Sequence, residues 1–244
     1  IAAAKLPDTL RYILTGGGKL DPALEARFRK ELGVITFEGY GLTECSPVVA
    51  SNPSDARRRT GTVGLPMPGY DVQVRDEAGT PLPAGEEGVL WVRGPSVSTG
   101  YFRDPEQTAE RFRDGWFNTG DMVRIDADGY IAILDRVSDM LVVSGFNVYP
   151  QEVETVIREI QGVRETAVVG VSNPVTGEVP VAFVITDESA GLTQSDVIGR
   201  CKAKLAHYKV PRKVRFVTEL PMSSVGKVLK RKLREMMVKE TKTP

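Results

Sequence analysis

At 244 residues, with 32 basic and 32 acidic side chains, the chain can bury one large core or two small ones and carries no net charge. That balance gives no global field for nucleic acid or an anionic membrane; two distant cysteines exclude a disulfide-built domain, and a single histidine supplies His-clustered zinc sites and an ordinary Ser-His-Asp triad poorly. No apolar run approaches the ~20 residues that span a bilayer and residues 1–11 lack a signal layout, so the expectation is a cytoplasmic protein with no nucleic-acid partner.

Residues 11–63 read as strand, helix, strand. Tyr12-Ile13-Leu14 is strand-like, and Asp21-Pro22 supplies an N-cap with proline at the first helical position. Leu24, Phe28 and Leu32 then share one helical face, Gly33 ends the helix, and Val34-Ile35-Thr36-Phe37 has the pattern of a short buried strand. Residues 64–134 change character: short strands at Asp71–Arg75 and Val89–Arg93, punctuated by glycine and proline, predict an antiparallel barrel or sandwich-like unit. From Asp135 onward Pro150 opens a helix with Val153, Val156, Ile157 and Ile160 at helical spacing. Strands follow at Thr166–Val171 and Val181–Thr186, then a helix from Thr193 with Val197, Ile198, Cys201 and Leu205 inward, then a strand at Val214–Val217. Residues 135–244 thus form a compact α+β unit, and the short charged junction at Asp135–Ser138 suits a hinge better than a tether.

Several segments carry chemistry. Thr15-Gly16-Gly17-Gly18-Lys19 lies between a strand and a helix, where missing side chains admit a flat ligand to the backbone; a plain β-turn fits the same residues. Glu38-Gly39-Tyr40-Gly41-Leu42-Thr43-Glu44 follows the second strand, at the carboxyl end where open α/β sheets bind ligands. Tyr40 offers a ring face between two glycines, Thr43 a hydroxyl for a phosphate oxygen, and Glu44 an oxygen ligand for Mg²⁺. In Trp116-Phe117-Asn118-Thr119-Gly120-Asp121 the carboxylate can accept bonds from two ribose hydroxyls or simply occupy a turn between strands. Val143-Ser144-Gly145-Phe146-Asn147-Val148 reads as a hairpin before the Pro150 helix. Pro221-Met222-Ser223-Ser224-Val225-Gly226-Lys227 puts a lysine on a small-residue loop, ahead of a basic tail whose Leu229, Leu233 and Met236 outline an amphipathic helix. Arg57-Arg58-Arg59 reads as a solvated loop.

Taken in order, these segments resemble the adenylate-forming acyl-CoA synthetases, over nearly the whole chain. The wording of residues 143–150 looks most like the bacterial long-chain fatty-acid–CoA ligases. The resemblance implies the end of a large N-terminal adenylation domain over 1–134, α/β over 1–63 and β-rich over 64–134, followed by a mobile C-terminal lid over 135–244. It implies ATP/AMP, Mg²⁺ and CoA as ligands and a fatty or related carboxylic acid as substrate. Gly17, Gly18, Lys19, Glu38, Gly39, Tyr40, Gly41, Leu42, Asp121 and Arg136 would hold the nucleotide. Ser144, Gly145 and Phe146 would meet the pantetheine arm, and Lys227, with Thr43 and Glu44, would serve the adenylation step. The family uses proline more often at the place of Lys19, and Asp or Lys at the pivot where this chain has Ser138. Cys45–Val49 and Val63–Pro66 would wall part of the acyl pocket. The family's Ser/Thr/Gly-rich phosphate loop would fall upstream of residue 1, so the chain is expected to be the C-terminal half of an enzyme and inactive alone. Delivery to a carrier protein and a non-catalytic nucleotide- or CoA-binding module are the alternatives. Peripheral membrane contact and oligomeric state stay open.

Overall fold

The computed structural model describes residues 7, 9–18, 20, 22–54, 56–224 and 226–241. The readings made for Lys19, Asp21 and Val225 lie outside the described residues. Two compact units, Ile1–Ile133 and Leu134–Pro244, divide the chain.

In the first unit β1 (Tyr12–Thr15) runs parallel to β2 (Ile35–Gly41), with α1 (Pro22–Leu32) as the crossover. Gly33 adopts φ 65° and its N–H donates to the Arg29 carbonyl, which ends α1 as an αL cap does. The expected apolar face of α1 is corrected: Leu24 and Phe28 are half-buried, Leu32 is exposed, and the buried residue is Glu25. Its carboxylate pairs with Arg58, whose guanidinium also reaches the Thr36 carbonyl. A charge pair therefore occupies the ground that a leucine stripe would have filled. The solvated-loop reading of residues 57–59 holds for the exposed Arg57 and is corrected for Arg58 and Arg59. Arg58 is largely buried, and Arg59 binds Asp126 and Asp128 at 2.6 and 2.5 Å while covering the Tyr130 ring.

Strand β2 is longer than its sequence suggested, because Glu38 to Gly41 continue the ladder instead of following it. Strands β3 (Val48–Ser51) and β4 (Leu65–Pro66) extend this sheet in antiparallel fashion. A second antiparallel sheet holds β5 (Asp71–Arg75) and β6 (Glu87–Arg93). After α2 (Pro105–Arg111) it adds β7 (Phe112–Arg113), β8 (Trp116–Ile125) and β9 (Ile131–Arg136), in the order β5-β6-β8-β7 with β9 beside β8. Val49 and Ala50 of β3, Leu90 and Val92 of β6, and Phe117 and Val123 of β8 share one core, which fixes the first sheet against the second.

The second unit is built on the sheet β11-β10-β13-β12, with β14 parallel to β13. Its elements are β10 (Leu141–Val143), β11 (Phe146–Val148), α3 (Pro150–Arg158), β12 (Val163–Asn173), β13 (Gly177–Thr186), α4 (Gln194–Lys204), β14 (Lys213–Phe216) and α5 (Lys230–Thr241). Alternation along the strands splits the core. Val168, Ala182 and Val184 face α3 and α4, whereas Ala167, Val169, Val181 and Phe183 face Leu233 and Met237 of α5. With both faces covered, the strands read as continuous apolar runs. Met237, not Met236, packs with Leu233, because four residues of helix return to the same face. No helix among the described residues is long and apolar enough to cross a membrane.

Candidate functional site

Within the first unit, β2 and β8 bring two of the expected residues together. The Tyr40 hydroxyl donates to Asp121 Oδ2 at 2.5 Å. Asp121 is only 3% exposed and lies inside β8, so the turn reading of this aspartate is corrected. Its neighbours explain the placement. Thr119 donates its hydroxyl to the Leu90 carbonyl of β6 at 2.8 Å and accepts the Asp121 N–H at 3.1 Å, pinning the strand from below. Gly120 takes φ 71°, and a Cβ there would meet the Arg111 guanidinium at 2.8 Å.

Glycines flank Tyr40 for different reasons. A Cβ on Gly41 would lie 2.0 Å from the Pro47 carbonyl oxygen, where β2 shifts register against β3 and Leu42 N–H bonds to that same oxygen at 2.8 Å. A Cβ on Gly39 would only touch Leu14 and Ala50. Glu38 is buried and its Oε1 accepts the Leu20 N–H at 2.8 Å, so its carboxylate braces the stretch after Gly16, Gly17 and Gly18. The register Thr15↔Glu38 sets that brace beside the end of β1, and Gly17 turns the chain with φ 81°. Lys19 lies outside the described residues.

Thr43 and Glu44 form a single 3-10 turn, Thr43–Cys45, with Thr43 exposed and Cys45 in the core. Glu44 Oε1 accepts the Tyr101 hydroxyl at 2.8 Å, and the Glu44 carbonyl accepts the Ser98 N–H at 2.7 Å. Burial first, then the bond to Glu44, pushes the Tyr101 phenol up to about 12, so it stays a donor. Tyr101 was missed by sequence reasoning, since nothing in Ser98-Thr99-Gly100-Tyr101 has a period or a charge that points to Glu44. Among the described residues no group of three or more His, Cys, Asp or Glu side chains could hold a metal. A lone carboxylate at Glu44 still fits Mg²⁺, which completes its shell with water and phosphate oxygens.

In the second unit the remaining candidates lie on turns or at the strand ends beside them, with Arg136 ending β9 and Phe146 beginning β11. Asp135 is buried, accepting the Arg136 N–H at 2.8 Å and the Gln151 N–H at 2.9 Å, so it ties the Arg136 backbone to the first turn of α3. Burial raises its pKa and the Lys230 charge lowers it, with burial the larger effect. Ser144 and Gly145 adopt φ 51° and 84° between the paired residues Val143 and Phe146, a two-residue hairpin turn of the I′ kind. Nothing lies within 4 Å of a Cβ built on Gly145, so the turn demands the glycine and crowding does not. Phe146 is 54% exposed and stacks on Tyr208, ring centroids 4.6 Å apart, a partner that sequence spacing gave no means to find. Lys227 is exposed on a loop closed by Ser223 N–H to Lys227 carbonyl at 2.8 Å and Lys227 N–H to Ser223 Oγ at 3.0 Å.

The sequence matches the AMP-binding enzyme family over residues 2–102 and the AMP-binding enzyme C-terminal domain over residues 152–227. The chain belongs to the AMP-binding enzyme family. A similar family member is the long-chain-fatty-acid–CoA ligase of Yersinia pestis, 46% identical over 95% of this chain and 41% of that protein. The feruloyl-CoA synthase of an Amycolatopsis species is 38% identical over 93% of this chain and 46% of its own length. Among solved structures, ATP-bound MatB from Rhodopseudomonas palustris superposes with a TM-score of 0.87 at 40% identity, covering 91% of this chain and 44% of that one. The chain therefore spans less than half the length of each of these AMP-binding enzymes.

Proposed function

We propose that this chain is the C-terminal part of an ATP-dependent acid–thiol ligase, which activates a medium- or long-chain fatty acid as acyl-AMP and passes the acyl group to CoA. The observation that carries the reading is the Tyr40–Asp121 pair, a phenol and a buried carboxylate held at 2.5 Å by two strands of one core. Tyr40 presents a ring face to adenine, Asp121 accepts from the ribose hydroxyls, and Arg136 is a further nucleotide ligand. Glycines 17, 18, 39 and 41 keep the backbone bare around a flat base. The names of the relatives support the acid–thiol chemistry, and the higher identity to the fatty-acid ligase favours a fatty over an aryl acid.

In the first half-reaction a carboxylate oxygen attacks the α-phosphorus of ATP and the bond to pyrophosphate breaks. Both reactants are anionic, so the Lys227 ammonium offsets their repulsion as the new bond forms. Thr43 donates its hydroxyl to a phosphate oxygen. Glu44 would hold Mg²⁺, which supplies charge neutralisation to the phosphates. In the second half-reaction the CoA thiolate attacks the acyl carbonyl and AMP leaves, with Ser144, Gly145 and Phe146 as ligands of the pantetheine arm. A turn about Arg136–Ser138 exchanges the two sets of groups between steps.

Two measurements test this. Calorimetry on the chain as it stands should detect AMP binding that Asp121→Ala weakens by roughly tenfold or more; equal affinity in the variant overturns the ribose assignment. Pyrophosphate exchange by the full-length enzyme should be supported by long-chain fatty acids and not by ferulate. Exchange driven by ferulate alone would move the substrate to the aryl class.

A further inference from the structure

Helix α5 begins with Lys230, Arg231 and Lys232 and has no acidic residue in its first turn. Cations at the positive end of a helix dipole oppose it, so a local rule is broken at the start of the element that follows Lys227. The structure shows where two of α5's cations go. Lys230 Nζ lies 2.9 Å from Glu154 Oε1, with side-chain exposures of 12% and 6%. The same Glu154 oxygen accepts the Val168 N–H at 2.8 Å, so this ion pair is built into the junction of α3, β12 and α5. One turn later Arg234 donates through Nη2 to the Ser138 carbonyl at 3.2 Å and to Asp139 Oδ1 at 2.7 Å. That stretch is itself folded on the Arg136 carbonyl, which accepts the N–H groups of Asp139 and Met140 at 3.0 Å each. Lys230 and Arg234 are four residues apart and so share a face of α5, while Leu233 and Met237 bury the neighbouring face. The Lys227 loop is closed at its base by the Leu229 N–H on the Pro221 carbonyl at 2.7 Å, one residue before α5 starts.

We propose that α5 locks the 136–140 turn and the Lys227 loop into one body, with Lys230 and Arg234 as positioning residues for the Lys227 ammonium. The proposal rests on the reading of Lys227 as the adenylation cation. A lysine on an exposed loop has many rotamers to lose, and a charge acting at one step must arrive close to its productive position. The two ion pairs supply that constraint from the helix side. The turn that would serve as pivot is thereby tied to the cation it would move.

The test uses the full-length enzyme and two separate assays, fatty-acid-dependent pyrophosphate exchange and thioester formation from supplied acyl-AMP and CoA. Arg234→Met removes a partly exposed anchor, and the double variant Lys230→Met/Glu154→Gln removes both charges of the buried pair without stranding either. A misplacement of about 1 Å can cost about 10²-fold, so each variant should lower kcat for exchange by ~10–10²-fold, with KM for ATP and the thioester assay within about twofold of wild type. Arg234→Lys should restore part of the exchange rate, because one of the two acceptors stays within reach. If both assays fall together along with the melting temperature, or if neither falls, the positioning role is overturned. Lys227→Ala is run alongside. Should it leave exchange intact, the functional reading itself is wrong; should it abolish exchange while the α5 variants do not, only the positioning proposal is lost.

Discussion

Asp121 lies inside a ten-residue strand, nearly sealed from solvent, and already receives a phenol at 2.5 Å. Lys227 sits on an exposed five-residue loop whose described bonds are backbone closures and one serine hydroxyl. The first is set by strands of one shared core; the second takes its position from the helix beside it. The contrast suits the proposed division of labour. A nucleotide that stays bound through both half-reactions is met by groups with nothing left to organise, whereas a cation needed at one step is carried where it can be withdrawn.

The sharpest way to break that contrast is Lys227→Ala. Losing a donor aimed at developing charge typically costs ~10²–10³ in rate, and that loss is expected in acyl-AMP formation alone. Thioester formation from supplied acyl-AMP should be unchanged. An equal loss in both assays would make Lys227 structural and erase the distinction between a resident site and a visiting one.

Next in size is the Tyr40–Asp121 pair, proposed to hold the nucleotide. Hydrogen bonds to charged groups contribute about 1.5–3 kcal/mol, so Asp121→Ala should weaken AMP binding by roughly 10- to 100-fold. Tyr40→Phe keeps the ring and removes one donor to the carboxylate, and should cost less. If Tyr40→Phe is the more damaging of the two, the hydroxyl orients the ligand directly and Asp121 serves only to hold it.

How far the sequence reveals this site depends on which physical signal each residue leaves. Glycine turns and helix starts are local, so Gly33, the Ser144-Gly145 turn and the Thr193 cap can be read directly. Continuous apolar runs give away the strands of the second unit, because both faces of that sheet are buried. Pairings made across the fold leave no such trace. Glu25 with Arg58, Glu44 with Tyr101 and Phe146 with Tyr208 join residues 33, 57 and 62 positions apart. The strand identity of Glu38–Gly41 and of Trp116–Asp121 was hidden for a related reason. Glycine and aspartate are poor strand formers, and tertiary pairing with β1, β3 and β6 overrides that preference.

A smaller effect concerns the two cysteines, one in each unit. Burial pushes the Cys45 thiol up to about 12 and the Cys201 thiol to about 11. Each folded pKa lies above the unfolded value, so the stabilisation is fully present below the unfolded pKa of about 8.5 and is lost as pH rises towards the folded one. Near pH 10, about 1.5 units above the unfolded pKa, the loss is roughly 2 kcal/mol per thiol. Chemical denaturation followed between neutral pH and about 10 should show that decline. A thiol reagent should label neither cysteine before unfolding. Rapid labelling of Cys45 alone would mean that the core against which Tyr40 packs opens, and the proposed preset site would fail there first.

The smallest expected effect tests whether the cation depends on α5 or on its whole unit. Thr193 caps α4 by accepting the Asp196 N–H, while Asp196 accepts the Thr193 N–H at 2.8 Å in return. Replacing a threonine cap by alanine typically costs about 1 kcal/mol, from about 0.5 to 2. Thr193→Ala should lower stability by that amount in thermal or urea melts. Helix α4 packs on the sheet face opposite α5, through Val197 and Cys201, and none of its described ion pairs or hydrogen bonds involves the Lys227 loop. Both half-reactions should therefore proceed at the wild-type rate well below the melting temperature. A selective drop in adenylation would show that loosening any helix of the unit displaces the cation. The distinction between an anchored α5 and the rest of the fold would then disappear, because the cation would depend on the stiffness of the entire second unit.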